Sequence, residues 1–330
     1  MSGEDVPYQL RPNKFIDRQM FVELLSRLIV PRGPEKYIYV SMGGRHLVDH
    51  YAIYNHLGID AQYSFDKNPN EVKRQLFNRP TGKTRCVELN TSDLPSKIDE
   101  ILNAFRSKRN LIVWLDYTDS KRRAQFQEAV QTLVKLKHGD VFRITFNANP
   151  VTLSTGEDWK MAGAASPGEH RAAQLRNQIG EYMPTDISSI SETELPQVIA
   201  RCMGLAAKAA EGLQAGLVVS PVFVTSYRDT SRMLTLTCAV SEEGNDAFPP
   251  PGFSRWQFAC RGWTDVRSIS APVLSTREQQ RLDGRLHQGV KKMLASLKFF
   301  PSENATKSLE ALASYRDYHR YYPSFRHVED

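Results

Sequence analysis

Five times in succession, a short apolar run gives way to a stretch of helical periodicity, with no hairpin signal between them. The runs are KYIYVSMGG, DAQYSFD, TRCVELN, NLIVWLDYTD and DVFRITFNANP. The stretches that separate them keep apolar residues at i, i+3, i+4 and i+7, as in Leu47, Tyr51, Tyr54 and Leu57 or Ile98, Ile101, Leu102 and Phe105. Alternation of this kind requires right-handed crossovers, and so a parallel, doubly wound α/β sheet. The expected strands are 37–41, 61–65, 84–89, 111–115 and 141–146.

The flanks differ from this core. PNKFIDRQMFVELLSRLIV reads as an N-terminal amphipathic helix within a segment 1–35. After the fifth strand, residues 151–193 are rich in Ser, Gly, Thr and Pro around one helix, GEHRAAQLRNQIGEY. This stretch reads as an inserted, lid-like segment, with Trp159, His170 or Arg171 reaching toward a pocket. Ser191 and Glu194 have the spacing of a capping box ahead of LPQVIARCMGLAAKAA. Two β-rich runs then surround Arg228–Asp229–Thr230–Ser231, a hairpin signal, and Pro221 suits an edge position in its first strand. The expected organisation is a helical segment 1–35, an α/β domain 36–245 and a mixed, largely helical extension 246–330.

Composition narrows the class of molecule. No apolar run approaches the roughly 18–20 residues of a membrane helix, and MSGEDVPYQLRPNKF lacks the apolar stretch of a signal peptide. Cys86, Cys202, Cys238 and Cys260 have no CxxC or other metal-ligand spacing and read as reduced thiols. A cytoplasmic chain without membrane contact is expected. The net charge of +6 favours an acidic partner such as nucleic acid, but the basic residues are spread along the chain. Tyr315, Tyr318, Tyr321, Tyr322 and Phe325, interleaved with Arg316, Arg320, Arg326 and His327, read as packing against their own domain. The competing reading is a base-stacking surface. GxSxG, Walker A and kinase signatures are missing from the sequence.

Five βα units closed by an antiparallel hairpin resemble the class I S-adenosylmethionine-dependent methyltransferase domain, over roughly residues 36–241. In open α/β sheets ligands bind at the carboxyl ends of the strands, near the switch in strand order. The resemblance therefore implies a cofactor, S-adenosylmethionine, held by the turn Ser41, Gly43 and Gly44, by Asp66 on the ribose, and by Asn90 and Asp93 near the adenine. It places Asp116 facing the methyl group and acceptor, as base, substrate anchor or metal ligand, with Tyr117 lining the site. Apart from the resemblance, His46 has a functional reading as a general base at the mouth of the site. The turn departs from the family pattern: only two adjacent glycines are present, and the usual leading acidic residue is missing.

Each of these residues has a purely structural reading as well. Gly43 and Gly44 suit a tight turn, Asp66 or Asn68 a helix cap, and Ser92 or Asp93 another. Asp119 can cap a helix while Asp116 pairs with an arginine. His46 and His50, four apart on a helix with Asp49 between them, suit surface or packed positions better than a zinc pair. Asp116, Asn147 and Asn149 could offer oxygens to a hard cation, but one charge among three ligands argues against a metal. The sequence after the fourth strand is not the D/N-P-P-Y motif of amino-methylating nucleic-acid enzymes. The resemblance thus implies methyl transfer to an unidentified acceptor, at oxygen rather than at adenine nitrogen. The alternative is a catalytically inactive module of the same fold that binds a protein or nucleic-acid partner.

Overall fold

The computed structural model describes residues 11–105 and 110–323. Phe325, Arg326 and His327 lie outside the described residues. The strands are β1 (Tyr37–Ser41), β2 (Gln62–Asp66), β3 (Arg85–Glu88), β4 (Asn110–Asp116), β5 (Val141–Asn147), β6 (Leu217–Arg228), β7 (Arg232–Glu242) and β8 (Arg267–Ile269). They form one sheet in the order β3-β2-β1-β4-β5-β7-β6-β8. The first five are parallel neighbours, as expected, and β7 pairs antiparallel with β5, from Val141↔Ala239 to Asn147↔Met233. The helices are α1 (Pro12–Ile29), α2 (Val48–Leu57), α3 (Pro69–Phe77), α4 (Leu94–Ala104), α5 (Arg122–Leu133), α6 (Asp158–Met161), α7 (Pro167–Ile179), α8 (Leu195–Leu213), α9 (Thr276–Asp283), α10 (Val290–Leu297) and α11 (Ala305–Tyr318). No helix among the described residues is long and apolar enough to cross a membrane.

The chain divides into two compact units. The larger comprises Val22–Val224 and Met233–Val266; the smaller comprises Met1–Phe21, Thr225–Arg232 and Arg267–Asp330. In the larger unit, strand parity separates two unlike sheet faces. One face is apolar: Ile38, Val40, Phe65, Val113, Leu115, Phe142 and Ile144 pack against Ile98 of α4, Phe126 of α5, Leu175 of α7 and Met203 of α8. Each such buried side chain is worth about 1.5–3 kcal/mol. The other face carries Tyr39, Ser41, Gln62, Ser64, Trp114, Arg143, Thr145, Thr235 and Thr237, all buried. Register aligns five of them in one row across the sheet: Ser64↔Ser41, Ser41↔Trp114, Trp114↔Arg143 and Arg143↔Thr237. Burying polar groups is costly unless they are hydrogen-bonded, and several of these are bonded to one another. The Arg143 guanidinium lies 4.6 Å over the Trp114 ring and donates to Thr237 Oγ1 at 2.7 Å, while Trp114 Nε1 donates to Thr145 Oγ1 at 3.0 Å.

Residues 151–193 fall into two parts. In α7, capped by Ser166 through the Glu169 N–H at 3.2 Å, Ala172, Leu175 and Ile179 are buried members of the sheet's apolar core. The exposed part is the stretch around α6, where Met161 is 89% exposed. His170 is buried with Nε2 3.9 Å from Asp158, and Arg171 Nε donates to Ile190 O at 2.9 Å, so both are engaged inside this stretch of chain. The capping box ahead of α8 is present: the Ser191 N–H donates to Glu194 Oε2 at 3.1 Å, and the Glu194 N–H to Ser191 Oγ at 3.2 Å.

In the smaller unit, Asp229 of the hairpin turn satisfies the first turn of α1, accepting from the Asn13 N–H at 3.2 Å and the Lys14 N–H at 2.9 Å. Among the described residues β8 pairs with β6 at Thr225, Ser226 and Tyr227. The helical pattern of 276–297 is broken between α9 and α10, from Gly284 to Gly289. Tyr315, Tyr318, Tyr321 and Tyr322 are buried; Tyr315 donates to Asp283 at 2.5 Å and Tyr322 to Pro272 O at 2.9 Å. Tyr315 and Tyr322 thus bond to residues of their own unit.

Candidate functional site

The strand order reverses between β1 and β4, and their carboxyl ends open onto the edge where β2 and β5 also finish. At the end of β1 the chain makes a tight turn. Gly43 and Gly44 have φ of +66° and +56°, and the Gly44 N–H donates to Met42 O at 2.7 Å. The two glycines have different reasons to be there. A Cβ on Gly43 would lie 2.3 Å from Ser64 Oγ and 2.6 Å from Leu47 Cδ2, so its lack of side chain lets the turn pack onto β2. A Cβ on Gly44 would meet nothing within 4 Å. The backbone there faces open space.

His46 lies in this turn and is exposed. The helix that follows starts at Val48, so His46 and His50 do not share a helical face as their spacing suggested. His50 is instead wholly buried beneath the turn, with Nε2 3.1 Å from Ser41 Oγ and Nδ1 3.2 Å from Gln62 Oε1. Burial pulls its pKa down, opposed by the neighbouring Asp49 carboxylate and the Gln62 hydrogen bond. Asp49 Oδ2 accepts from Ser41 Oγ and Tyr39 OH, both at 2.7 Å.

Asp66 ends β2 on the polar face and is half-buried. Its Oδ1 accepts the Asn68 N–H at 2.7 Å; Oδ2 takes no hydrogen bond from the described residues. Asn68, not Asp66, caps α3, accepting the Asn70 N–H at 2.9 Å with Pro69 as the first helical residue. Beyond β3, Asn90 precedes and Asp93 ends a single 3-10 turn, Thr91–Asp93, and Asn90 Nδ2 reaches Asp93 Oδ2 at 3.4 Å. Neither Ser92 nor Asp93 caps α4 with its side chain.

Asp116 ends β4 on the same face as Asp66, level with Thr145 of β5. Tyr117, one residue on, projects to the apolar face, where its hydroxyl donates to Glu128 of α5. Burial, and secondarily Glu128, hold its pKa far above that of a free phenol. Asp119 binds the Lys121 N–H at 3.1 Å and Gln125 Nε2 at 2.6 Å, just ahead of α5. Asn147 Oδ1 accepts the Asn149 N–H at 3.0 Å, and Asn149 Oδ1 accepts the Val151 N–H at 3.3 Å. Both oxygens considered for a cation are thus engaged in turns. Among the described residues, no group of three His, Cys, Asp or Glu side chains is placed to hold a metal.

Two features of this edge escaped the sequence reading. Arg122, the first residue of α5, is fully buried; it donates to Gln178 Oε1 at 2.6 Å, Asn147 O at 2.6 Å and Thr152 Oγ1 at 2.7 Å. It ties the β5 exit loop to α5 and α7, and desolvation lowers its pKa to about 10. Nothing in one-dimensional spacing marks such a residue. The second feature is the network around Ser41, for which a signal exists: Tyr39, Ser41, Gln62 and Ser64 alternate with apolar residues. A shallow depression of about 770 Å³, lined by Tyr54, Asp60, Thr81 and Lys83 among others, lies instead at the amino ends of the strands, since these residues precede β2 and β3. Lys83 and Asp60 pair across it at 2.5 Å.

A family model described as "Putative O-methyltransferase" matches residues 6–330. None of the curated proteins compared with the chain matches it. Solved structures similar to it include the fibrillarin/Nop5p complex, at 12% identity over 64% of this chain and 78% of that one, with a TM-score of 0.36. An O-methyltransferase family protein from Burkholderia thailandensis matches at 12% identity over 68% and 60%, with a TM-score of 0.32. A 16S rRNA (adenine(1408)-N(1))-methyltransferase from Catenulisporales acidiphilia, solved with the cosubstrate S-adenosylmethionine, matches at 11% identity over 66% and 89%, with a TM-score of 0.35.

Proposed function

The chain belongs to this O-methyltransferase family, and on that footing we propose that it transfers the methyl group of S-adenosylmethionine to an oxygen of an acceptor. One observation carries the reading. Two carboxylates, Asp66 and Asp116, end the strands on either side of β1 and share a face with the turn between them. The residues present suit the cofactor: the backbone at Gly44 is open, and Asp66 Oδ2 is available to accept from ribose hydroxyls. Asn90 and Asp93, beyond the end of β3, are the residues proposed to meet the adenine amino group.

When bound, S-adenosylmethionine supplies an electrophilic methyl group on a sulfonium. The chain's own part is orientation, holding the acceptor oxygen in line, which is the main source of rate in a two-substrate transfer. Asp116, rising from a buried apolar strand, is the group to orient the acceptor hydroxyl and take its proton. His46, exposed on the turn, can pass that proton to solvent. Tyr117 acts through packing, since its hydroxyl is held by Glu128. The exposed stretch around α6, rooted in the β5 exit loop, is the part of 151–193 that can select or cover the acceptor.

Calorimetric titration with S-adenosylmethionine and S-adenosylhomocysteine tests the reading. Micromolar binding of either is expected; a folded protein that binds neither would instead support a module acting through a partner.

A further inference from the structure

Beneath the glycine turn lie five side chains that no solvent reaches in quantity: Tyr39 and His50 and Gln62 at 0% exposure, Ser41 at 1% and Asp49 at 9%. Their hydrogen atoms can be counted. Gln62 Nε2 donates to two carbonyls, His50 O at 2.9 Å and Ile59 O at 3.0 Å, which leaves Oε1 facing His50 Nδ1. A carbonyl oxygen only accepts, so Nδ1 must carry a hydrogen. Ser41 Oγ accepts the Gly43 N–H at 3.1 Å and has one hydrogen of its own. It faces two groups, Asp49 Oδ2 at 2.7 Å and His50 Nε2 at 3.1 Å. With an ionised Asp49 and a neutral ring, both are acceptors, and one hydrogen cannot serve two. One buried contact is then left unmade, at a cost of about 1–3 kcal/mol.

A single added proton completes every bond. Placed on Nε2, it is donated to Ser41, whose own hydrogen goes to Asp49. Placed on Asp49, it is donated to Ser41, whose hydrogen goes to Nε2. The two arrangements interconvert by shifting one proton onto Oγ as another leaves it. We infer that Ser41, Asp49 and His50 share one proton, and that this proton locks the glycine turn through the Gly43 N–H. The inference rests on the methyltransferase reading for its consequence: the locked turn is the cradle proposed for the cofactor. Asp49 then brings from α2 the carboxylate that is missing from the end of β1.

The groups facing this proton are Tyr39 and Ser41 from β1, Asp49 and His50 from α2, and Gln62 from β2, with Thr84 Oγ1 3.4 Å from Gln62 Oε1. Ser64 and Gln75 lie beside it, and Gln75 Nε2 donates to Met42 O at 3.1 Å. Burial pulls the His50 pKa down, and the adjacent Asp49 carboxylate and the Gln62 hydrogen bond oppose that pull in part.

The test titrates S-adenosylhomocysteine into the full chain between about pH 5 and about pH 8, alongside Ser41→Ala and Asp49→Asn, with ring ¹⁵N spectra of His50. Wild-type affinity should fall as pH rises and the shared proton leaves. Ser41→Ala should bind about tenfold more weakly at the acidic end and lose the pH dependence; Asp49→Asn, nearly isosteric, should weaken binding likewise without unfolding the chain. The spectrum should show Nδ1 protonated throughout. Variants with wild-type affinity and pH profile, or a His50 ring with bare Nδ1, would overturn the shared proton. A folded wild type that binds no S-adenosylhomocysteine overturns the methyltransferase reading instead, and the ring spectrum then decides the proton alone.

Discussion

Asp66 and Asp116 close the two strands that hydrogen-bond to either side of β1, and strand parity turns both carboxylates to the same face. Their environments differ. Asp66 shows one oxygen with an Asn68 N–H and one open, at the rim; Asp116 rises from the most apolar strand of the sheet.

That difference predicts different losses. Asp66→Ala should weaken S-adenosylhomocysteine binding by about 1–3 kcal/mol, as for a charge-assisted hydrogen bond. The melting temperature should stay near wild type, because a strand-end side chain carries little packing. Asp116→Asn should leave that affinity nearly unchanged and lower single-turnover methyl transfer about 100-fold or more. Calorimetry and a radiolabelled methyl assay separate the two, and a matched loss of affinity in both variants would contradict the assignment.

The two glycines should part company on substitution. Gly43→Ala forces a Cβ against Ser64 and Leu47 at positive φ and should cost about 2–4 kcal/mol of stability. Gly44→Ala meets open space and should cost only about 1 kcal/mol, yet reduce cofactor affinity, since its methyl occupies the space proposed for the ligand. Urea denaturation and ligand titration on the pair give the two numbers.

A pH dependence of folding should trace to Asp140. It is 3% exposed, and burial pushes its pKa up to about 6, against hydrogen bonds from the Leu111 and Lys137 N–H groups and Asn110. The folded value lies above the ordinary carboxylate value of about 3.9. Between about pH 4 and about 6 the folded chain therefore holds a proton that the unfolded chain has released. The stabilisation from this group is complete below about pH 4 and is lost as pH rises through about 6, by up to about 3 kcal/mol. Denaturation of wild type and Asp140→Asn at both ends of that window should show the difference in slope.

The stretch 151–193 should behave as two pieces. Leu175→Ala, in the α7 core, should destabilise the chain by about 2–5 kcal/mol. Replacing 155–165 by a short linker should leave folding and S-adenosylhomocysteine binding intact and reduce acceptor turnover. Unchanged turnover would assign this stretch no role in the site.

Much of the sheet was legible from residue order. A strand buried on both faces needs its apolar run, and each run here sits within a residue or so of its strand, because burial and period-2 geometry act on neighbours in sequence. Asn68–Pro69 and Ser191–Glu194 were legible for the same reason: capping is a bond between residues a few positions apart. The aromatic run at 315–322 could be read as packing from its helical spacing.

What the sequence by itself determined, then, was the order of βα units, the closing hairpin, and which residues stand at the strand ends. Whether such a residue meets a ligand or its own fold was decided by tertiary contacts across long separations. His50 proved to be a buried partner of Ser41 and Gln62. Tyr117 was turned to Glu128, and Arg122 was buried among backbone and neutral groups 25 to 56 residues away. Asp229 became a cap for a helix more than 200 residues earlier. Local pattern cannot encode these pairings, because a hydrogen bond depends on where the chain returns in space, and that return is set by the packing of the whole sheet.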